Sequence, residues 1–234
     1  MKKLWDISPP VHAGAPVFPG DTAYSQQWVA SIGPGCPVNV SAITLSPHVG
    51  AHADAPLHYD PEGAAIGAVD LQAFIGPCRV IHAIGCGPLV RPEHIAHALG
   101  DSPLGRSQGE SAPSGGSDPR SGGAWGLPPR VLVRVYERMP QNHFDSALPA
   151  FAPETVALLA DRGVLLIGID SASIDPADSK LLTSHQTIRQ RGLRVLENLL
   201  LDDVPEGDYE LIALPLKLTT ADASPVRAVL RSLE

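Results

Sequence analysis

His48-Val49-Gly50-Ala51-His52-Ala53-Asp54-Ala55-Pro56-Leu57-His58 decides how this chain is read. Imidazoles, a carboxylate, a Gly and a Pro fall on alternate positions of the stretch. Packing alone asks for no such pattern. Imidazole and carboxylate together suit a borderline cation such as zinc or manganese. Two ligand types also leave room for a second metal and a catalytic base. The stretch therefore points to a metal-dependent hydrolase. The His-Glu-x-x-His signature of zinc proteases is absent, and 3 cysteines cannot build a four-Cys zinc site.

Fully extended, the motif puts every named residue on one face. Yet a straight strand from His48 to Asp54 spans roughly 20 Å, whereas ligands of one metal lie within ~2–2.3 Å of it. A helix brings His48 and His52 together at i, i+4, but Asp54 falls off that face and Gly50 weakens the helix. A strand that then bends, at Gly50 or Pro56, is the preferred geometry.

Working outward, residues 38–45 alternate and read as a strand feeding His48. Residues 3–8 and 79–84 read as further strands, and the apolar, β-branched runs at 131–137, 163–170 and 211–218 as central strands. Residues 92–99 read as a short helix closed by Gly100, and 153–162 as a helix with Val156, Leu158 and Leu159 inward. Strands first, then strands and helices mixed, predict one α/β domain with a mixed sheet over residues 1–234. Within it, 18 of the 29 residues from 101 to 129 are Gly, Ser or Pro. Such a segment buries too little apolar surface to offset its ordering entropy, so a disordered surface insertion is expected.

A chain of 234 residues is long enough for one full core. Its net charge of −8 argues against nucleic-acid or anionic-membrane partners. The N-terminus lacks the apolar core of a signal peptide, and no apolar run approaches the ~20 residues of a membrane helix. Cys36, Cys78 and Cys86 are odd in number and form no Cys-x-x-Cys, which fits free thiols and a cytoplasmic home. Cys78 and Cys86 flank a strand-like run and are expected to be buried.

A two-metal centre needs bridging carboxylates, and Asp54 is one candidate. The C-terminal third offers His185, in the wake of Asp170, Asp175 and Asp178, and Glu197, set among Val195, Leu196, Leu199 and Leu200. A carboxylate in such apolar company must be solvated, paired or metal-bound. Gly192 is expected to end a helix between the two. Spacing alone does not select this pair.

The motif is similar to the His-x-Gly-Thr-His-x-Asp-x-Pro-x-His signature of the cyclase-like metal-dependent hydrolases. Three further stretches resemble the formamidase branch of that family: Pro16-Val17-Phe18-Pro19-Gly20-Asp21, Gly168-Ile169-Asp170-Ser171 through Asp175-Pro176, and Leu201-Asp202-Asp203-Val204-Pro205 through Leu214-Pro215-Leu216-Lys217. The resemblance covers nearly the whole chain outside the insertion. It implies a swivelling β/β/α fold, a homodimer and two zinc ions per subunit, with manganese or cobalt as alternatives. It implies that His48, His52 and Asp54 bind one ion, that Asp54 and Glu197 bridge to a second completed by His185, and that His58 moves protons. Phe18 stands where the family lines the substrate pocket with an aromatic, usually Trp, and Ala51 stands for the usual Thr. The implied reaction is attack of metal-activated water on the formyl carbon of N-formyl-L-kynurenine, in tryptophan degradation.

Rival readings are weaker. Gly105-Arg106-Ser107-Gln108-Gly109 spells a nucleophile elbow but lies in the low-complexity insertion, without the strand and helix that motif needs. Gly85-Cys86-Gly87 lacks the third Gly of a dinucleotide fingerprint and runs into Pro88. Hydrolysis of another amide, or of an isatin-like cyclic amide, is the alternative within the same family. A metal-binding protein without turnover is the non-enzymatic one.

Overall fold

The computed structural model describes residues 2–100 and 126–233. The Gly/Ser/Pro-rich stretch up to residue 125, with its Gly-x-Ser-x-Gly match, lies outside the described residues. In chain order the strands are β1 (Leu4–Asp6), β2 (Ser25–Ala30), β3 (Val40–Thr44), β4 (His52–Asp54), β5 (Ile75–His82) and β6 (Leu89–Val90). Helix α1 (Pro92–Ile95), β7 (Arg130–Arg134), β8 (Ala150–Phe151), α2 (Pro153–Asp161), β9 (Leu166–Ile169) and α3 (Thr183–Arg191) follow. Strands β10 (Arg194–Glu197), β11 (Gly207–Ile212), β12 (Ala223–Pro225) and β13 (Val229–Ser232) end the fold.

One mixed sheet of nine strands, in the order β1-β13-β11-β5-β7-β9-β10-β4-β12, organises the molecule. Its middle, β5 to β10, is parallel, and both flanks are antiparallel. Parallel strands are usually covered on both faces, and here alternate residues enter two separate cores. Val80, Leu132, Leu166 and Leu196 pack with Ile7, Phe74 and Leu230 on one side. Ile81, Val131, Val133, Ile167 and Val195 pack on the other under Val156 and Leu159 of α2 and Ile188 of α3. This is the mixed α/β single domain expected from the element order.

Three expectations need correction. Of residues 211–218, only 211–212 lie in β11; Leu214, Leu216 and Leu218 are exposed. Pro215 has no N–H to give a ladder, so the apolar run does not continue as a central strand. Within the expected surface insertion, residues 127–129 are buried, and Pro129 accepts from Leu165 N (2.8 Å), tying the segment to the start of β9. Cys78 is fully buried, but Cys86 is only partly covered in the turn after β5.

Strands β2 and β3 pair only with each other and stand away from the main sheet. Trp28, Val29, Ile32, Val38, Val40 and Ile43 are exposed on and beside this hairpin.

Candidate metal centre and cavity

The site grows from β4, three residues long, held between β10 and β12 near one edge of the sheet. Residues two apart on a strand share a face, so His52 and Asp54 point the same way. In the antiparallel register Glu197 lies opposite His52, which puts its carboxylate on that face too. His48 reaches them from outside the strand. Gly50 turns the chain at φ +63, a left-handed value that Gly adopts without penalty. The turn folds His48 back until its Nδ1 lies 3.1 Å from Asp54 Oδ1. After Asp54 the chain bends at Pro56 into a single 3₁₀ turn, Pro56–His58, and carries His58 over the same centre. The bends anticipated at Gly50 and Pro56 are both present, with the extended residues His52–Asp54 between them.

His185 arrives on α3, which Gly192 closes in a left-handed conformation, as anticipated. The start of α3 has no local cap: Leu182 at that position is itself left-handed (φ 47) and gives no side-chain hydrogen bond. Asp175, several residues upstream, supplies the cap. Its carboxylate accepts from Ser184 N (2.9 Å) and His185 N (3.0 Å), and the same carboxylate lies 2.7 Å from His185 Nδ1. One acid therefore starts the helix and fixes the imidazole, leaving Nε2 aimed at Asp54 Oδ2 (3.3 Å) and Glu197 Oε1 (3.5 Å).

The inner part of this cluster is almost fully shielded from bulk solvent. Asp54 is 0% exposed, His52 and His185 2%, and Glu197 3%. Glu197 accepts from Ile174 N (2.7 Å) through Oε1, and its Oε2 lies 3.3 Å from His52 Nε2. His52 donates from Nδ1 to Gly50 O (2.9 Å), which leaves Nε2 with a lone pair. That Nε2 and Asp54 Oδ1, 3.5 Å apart, are both buried without a hydrogen-bond partner. Two acceptor atoms stranded side by side in the interior are costly unless a cation sits between them. The donor set of imidazole nitrogen and carboxylate oxygen fits a divalent metal, and His48, His52 and Asp54 converge closely enough to share one. Asp54, His58 and His185 form another such group, and His48, His58 and Asp222 a third.

Electrostatics follow from this crowding. Burial lowers the His48 pKa, but the Asp54 and Asp222 carboxylates outweigh it and raise it to about 9. Burial likewise works against a charged His185, yet Asp175, Asp54 and Glu197 raise it to about 10. Burial pushes Asp54 up, and the His185 hydrogen bond together with the close imidazoles of His48, His52 and His58 holds it well below the usual carboxylate range. Protons on the histidines thus fill the place a cation would take.

A cavity of about 440 Å³ opens over the cluster, lined by His48, His52, His58, His185 and Glu197 at one end. Phe18 lines it as well and stacks edge-on against Phe144 with ring centroids 5.0 Å apart. His48, His52, Asp54, His58, His185, Glu197 and Phe18 therefore meet around one cavity. Two were missed. Asp222, just before β12, accepts from His48 Nε2 (3.0 Å) and from His58 Nδ1 (3.2 Å) through one oxygen. Asp175 stands upstream of His185 in the sequence with no role assigned to it. Neither has a local sequence signal: Asp222 meets β4 because β12 pairs with it, Ala223 opposite Asp54.

The mixed curled sheet and the buried acid–imidazole cluster define a cyclase-type hydrolase with a site for a divalent metal. A family model described as putative cyclase matches residues 5–109. A solved structure described as a potential metal-dependent hydrolase with cyclase activity superposes with a TM-score of 0.77 over 100% of both chains at 26% identity. An isatin hydrolase structure shares the fold, with a TM-score of 0.75 at 19% identity over 100% of this chain and 93% of that one. The kynurenine formamidase of Paracidovorax citrulli is 70% identical over 99% of this chain and 97% of its own length. That of Bordetella pertussis is 61% identical over 100% of both. The chain belongs to the kynurenine formamidase family.

Proposed function

We propose that this protein hydrolyses N-formyl-L-kynurenine to L-kynurenine and formate, a step of tryptophan degradation. The observation that carries the reading is the dry cluster of His52, Asp54, His185 and Glu197 on the floor of a cavity, in a chain 70% identical to a kynurenine formamidase along its length. His48, His52 and Asp54 would hold one divalent ion, and Asp54, Glu197 and His185 a second, zinc being suited to these donors and manganese or cobalt also accepted. When bound, the metal supplies Lewis acidity that polarises the formyl carbonyl and brings the ionisation of water close to neutral pH.

The chain's own residues do the rest. His58 faces the cavity from the bend after β4, with its side chain 31% exposed. Its Nδ1 donates to Asp222, which leaves Nε2 free to take a proton from the attacking water. The same nitrogen hands that proton to the aniline nitrogen as the C–N bond breaks, so the amine leaves neutral. Asp222 keeps the imidazole in the required tautomer. Phe18 and Phe144 wall the cavity with ring faces and edges that suit an aryl group.

A homodimer belongs to the same reading. A lone two-stranded ribbon is marginal in water, and contiguous apolar exposure of this kind marks a contact surface. The β2–β3 hairpin is the surface a second copy would cover. Light scattering should give a dimer for the parent chain and a monomer for Trp28→Asp with Ile43→Asp; an unchanged dimer would place the contact elsewhere. The free cysteines fit a cytoplasmic location, and no helix among the described residues is long and apolar enough to cross a membrane.

The deciding test is release of kynurenine from N-formyl-L-kynurenine by metal-replete protein, with EDTA-stripped protein alongside. Fast turnover lost on stripping and restored by metal is the expected result. No turnover by loaded protein would discard this substrate, and turnover that survives stripping would discard the metal.

A further inference from the structure

The cavity wall is rich in acids. Asp21, Asp145, Asp170, Glu197 and Asp222 all line it. Most of these acids are committed to wall groups: Asp21 accepts from Ser46 Oγ (2.9 Å), Asp145 from Tyr136 Oη (2.8 Å) and Asp170 from Val135 N (2.8 Å). Among the described residues the lining holds one lysine, Lys180, and no arginine. Lys180 is exposed and makes no hydrogen bond or ion pair with another described side chain. By contrast Arg189 and Arg191, on the helix that follows, bind Asp60 and Asp161.

The backbone around Lys180 is built rather than slack. Ser179 N donates to Pro176 O (2.9 Å), and Ser179 Oγ accepts from Leu182 N (3.1 Å). Leu182 is held left-handed at φ 47, a conformation that a branched side chain adopts only under constraint. The loop ends on α3, so Lys180 is tied to the helix that carries His185.

The substrate proposed above is an aryl formamide that also carries a free α-carboxylate. The acids of the wall can meet the α-ammonium group of this zwitterion, whereas the α-carboxylate beside it is repelled unless a cation meets it. We infer that Lys180 is the specificity residue that receives the α-carboxylate of the substrate at the cavity wall, while the formyl group meets the histidine cluster. The inference rests on the proposed reaction and adds the part of the pocket that recognises an amino acid. Lys180 acts in binding, equally in ground and transition states, so its loss raises KM and leaves kcat in place.

The experiment compares N-formyl-L-kynurenine with formanilide, which keeps the aryl formamide and lacks the whole amino-acid side chain with its carboxylate and ammonium. For Lys180→Met, KM for N-formyl-L-kynurenine should rise about tenfold, the value of one modest ion pair, with kcat within about twofold. Formanilide kinetics should not change, and Lys180→Arg should recover most of the loss. Equal kinetics of parent and Lys180→Met on N-formyl-L-kynurenine would overturn the inference, as would an equal loss on both substrates. His143 is the other basic lining residue that meets no partner among the described residues; a carboxylate-selective loss in His143→Gln instead of Lys180→Met would also overturn it. A parent enzyme that hydrolyses formanilide but not N-formyl-L-kynurenine would overturn the substrate assignment itself, and this inference with it.

Discussion

The site has two halves that differ in solvent. Inside, Asp54, His52, His185 and Glu197 come from strands and a helix and are 3% exposed or less. Outside, the His58 and Asp222 side chains come from turns and are 31% and 42% exposed. Both halves pair imidazole with carboxylate, yet water decides what each can do. In the dry half, unpaired acceptors cannot be hydrated, and a cation is the remaining way to satisfy them. In the wet half the same groups exchange protons with solvent at little cost. The inner half is therefore built to hold charge, and the outer half to pass it on.

Breaking the inner half should have the largest effect. Asp54→Asn removes the acid common to both proposed ion sites, so metal content and activity should fall together, activity on the order of 10³-fold or more. Elemental analysis beside kinetics checks this, and a fully loaded, active variant would refute the shared-ligand role. His58→Ala should lower kcat by about 10²–10⁴-fold, the span of a lost acid–base group, with metal content unchanged. If metal is lost as well, His58 is a ligand and the division between the halves is wrong. Asp175→Asn should weaken metal binding by roughly 10–100-fold, as loss of an orienting carboxylate does; titration with a competing chelator would show unaltered affinity if His185 needs no such support.

The smallest expected effect concerns pH. His48 and His185 are raised to about 9 and about 10 in the fold, from an ordinary 6.5. Groups raised on folding stabilise fully below their unfolded value, and that stability is lost as pH climbs through the folded one. Metal-free protein should lose melting temperature between about pH 6.5 and 10, by roughly 5 °C. Metal-loaded protein should be flat over the same range. Parallel curves for the two forms would mean that protons do not stand in for metal in the inner half.

How legible this was in the sequence depended on distance along the chain. The motif from His48 to His58 declared itself because imidazoles and an acid so close together have no packing explanation. Residues 131–134 and 166–169 announced buried strands through apolar β-branched runs, and Gly192 announced the end of α3. Glu197 could be suspected as an acid in apolar company, but its position opposite His52 is a matter of strand register, which spacing does not encode. Asp222 stayed invisible for the same reason, since its tie to β4 spans more than 160 residues. The run at 211–218 misled because its leucines look buried until Pro215 is weighed against the ladder it interrupts. Asp175 was in view without a role, because capping a helix from upstream leaves no fixed offset to read.

That upstream cap links events at very different scales. The carboxylate that satisfies the first amides of α3 also holds the imidazole of His185. If the opening turn of the helix frays, the ring loses its anchor in the same motion, so helix breathing and loss of the ligand geometry are one fluctuation. Amide exchange at Ser184 and His185 then reports on the readiness of the centre, and a cation held by the His185 ring would slow exchange along the backbone of that helix end.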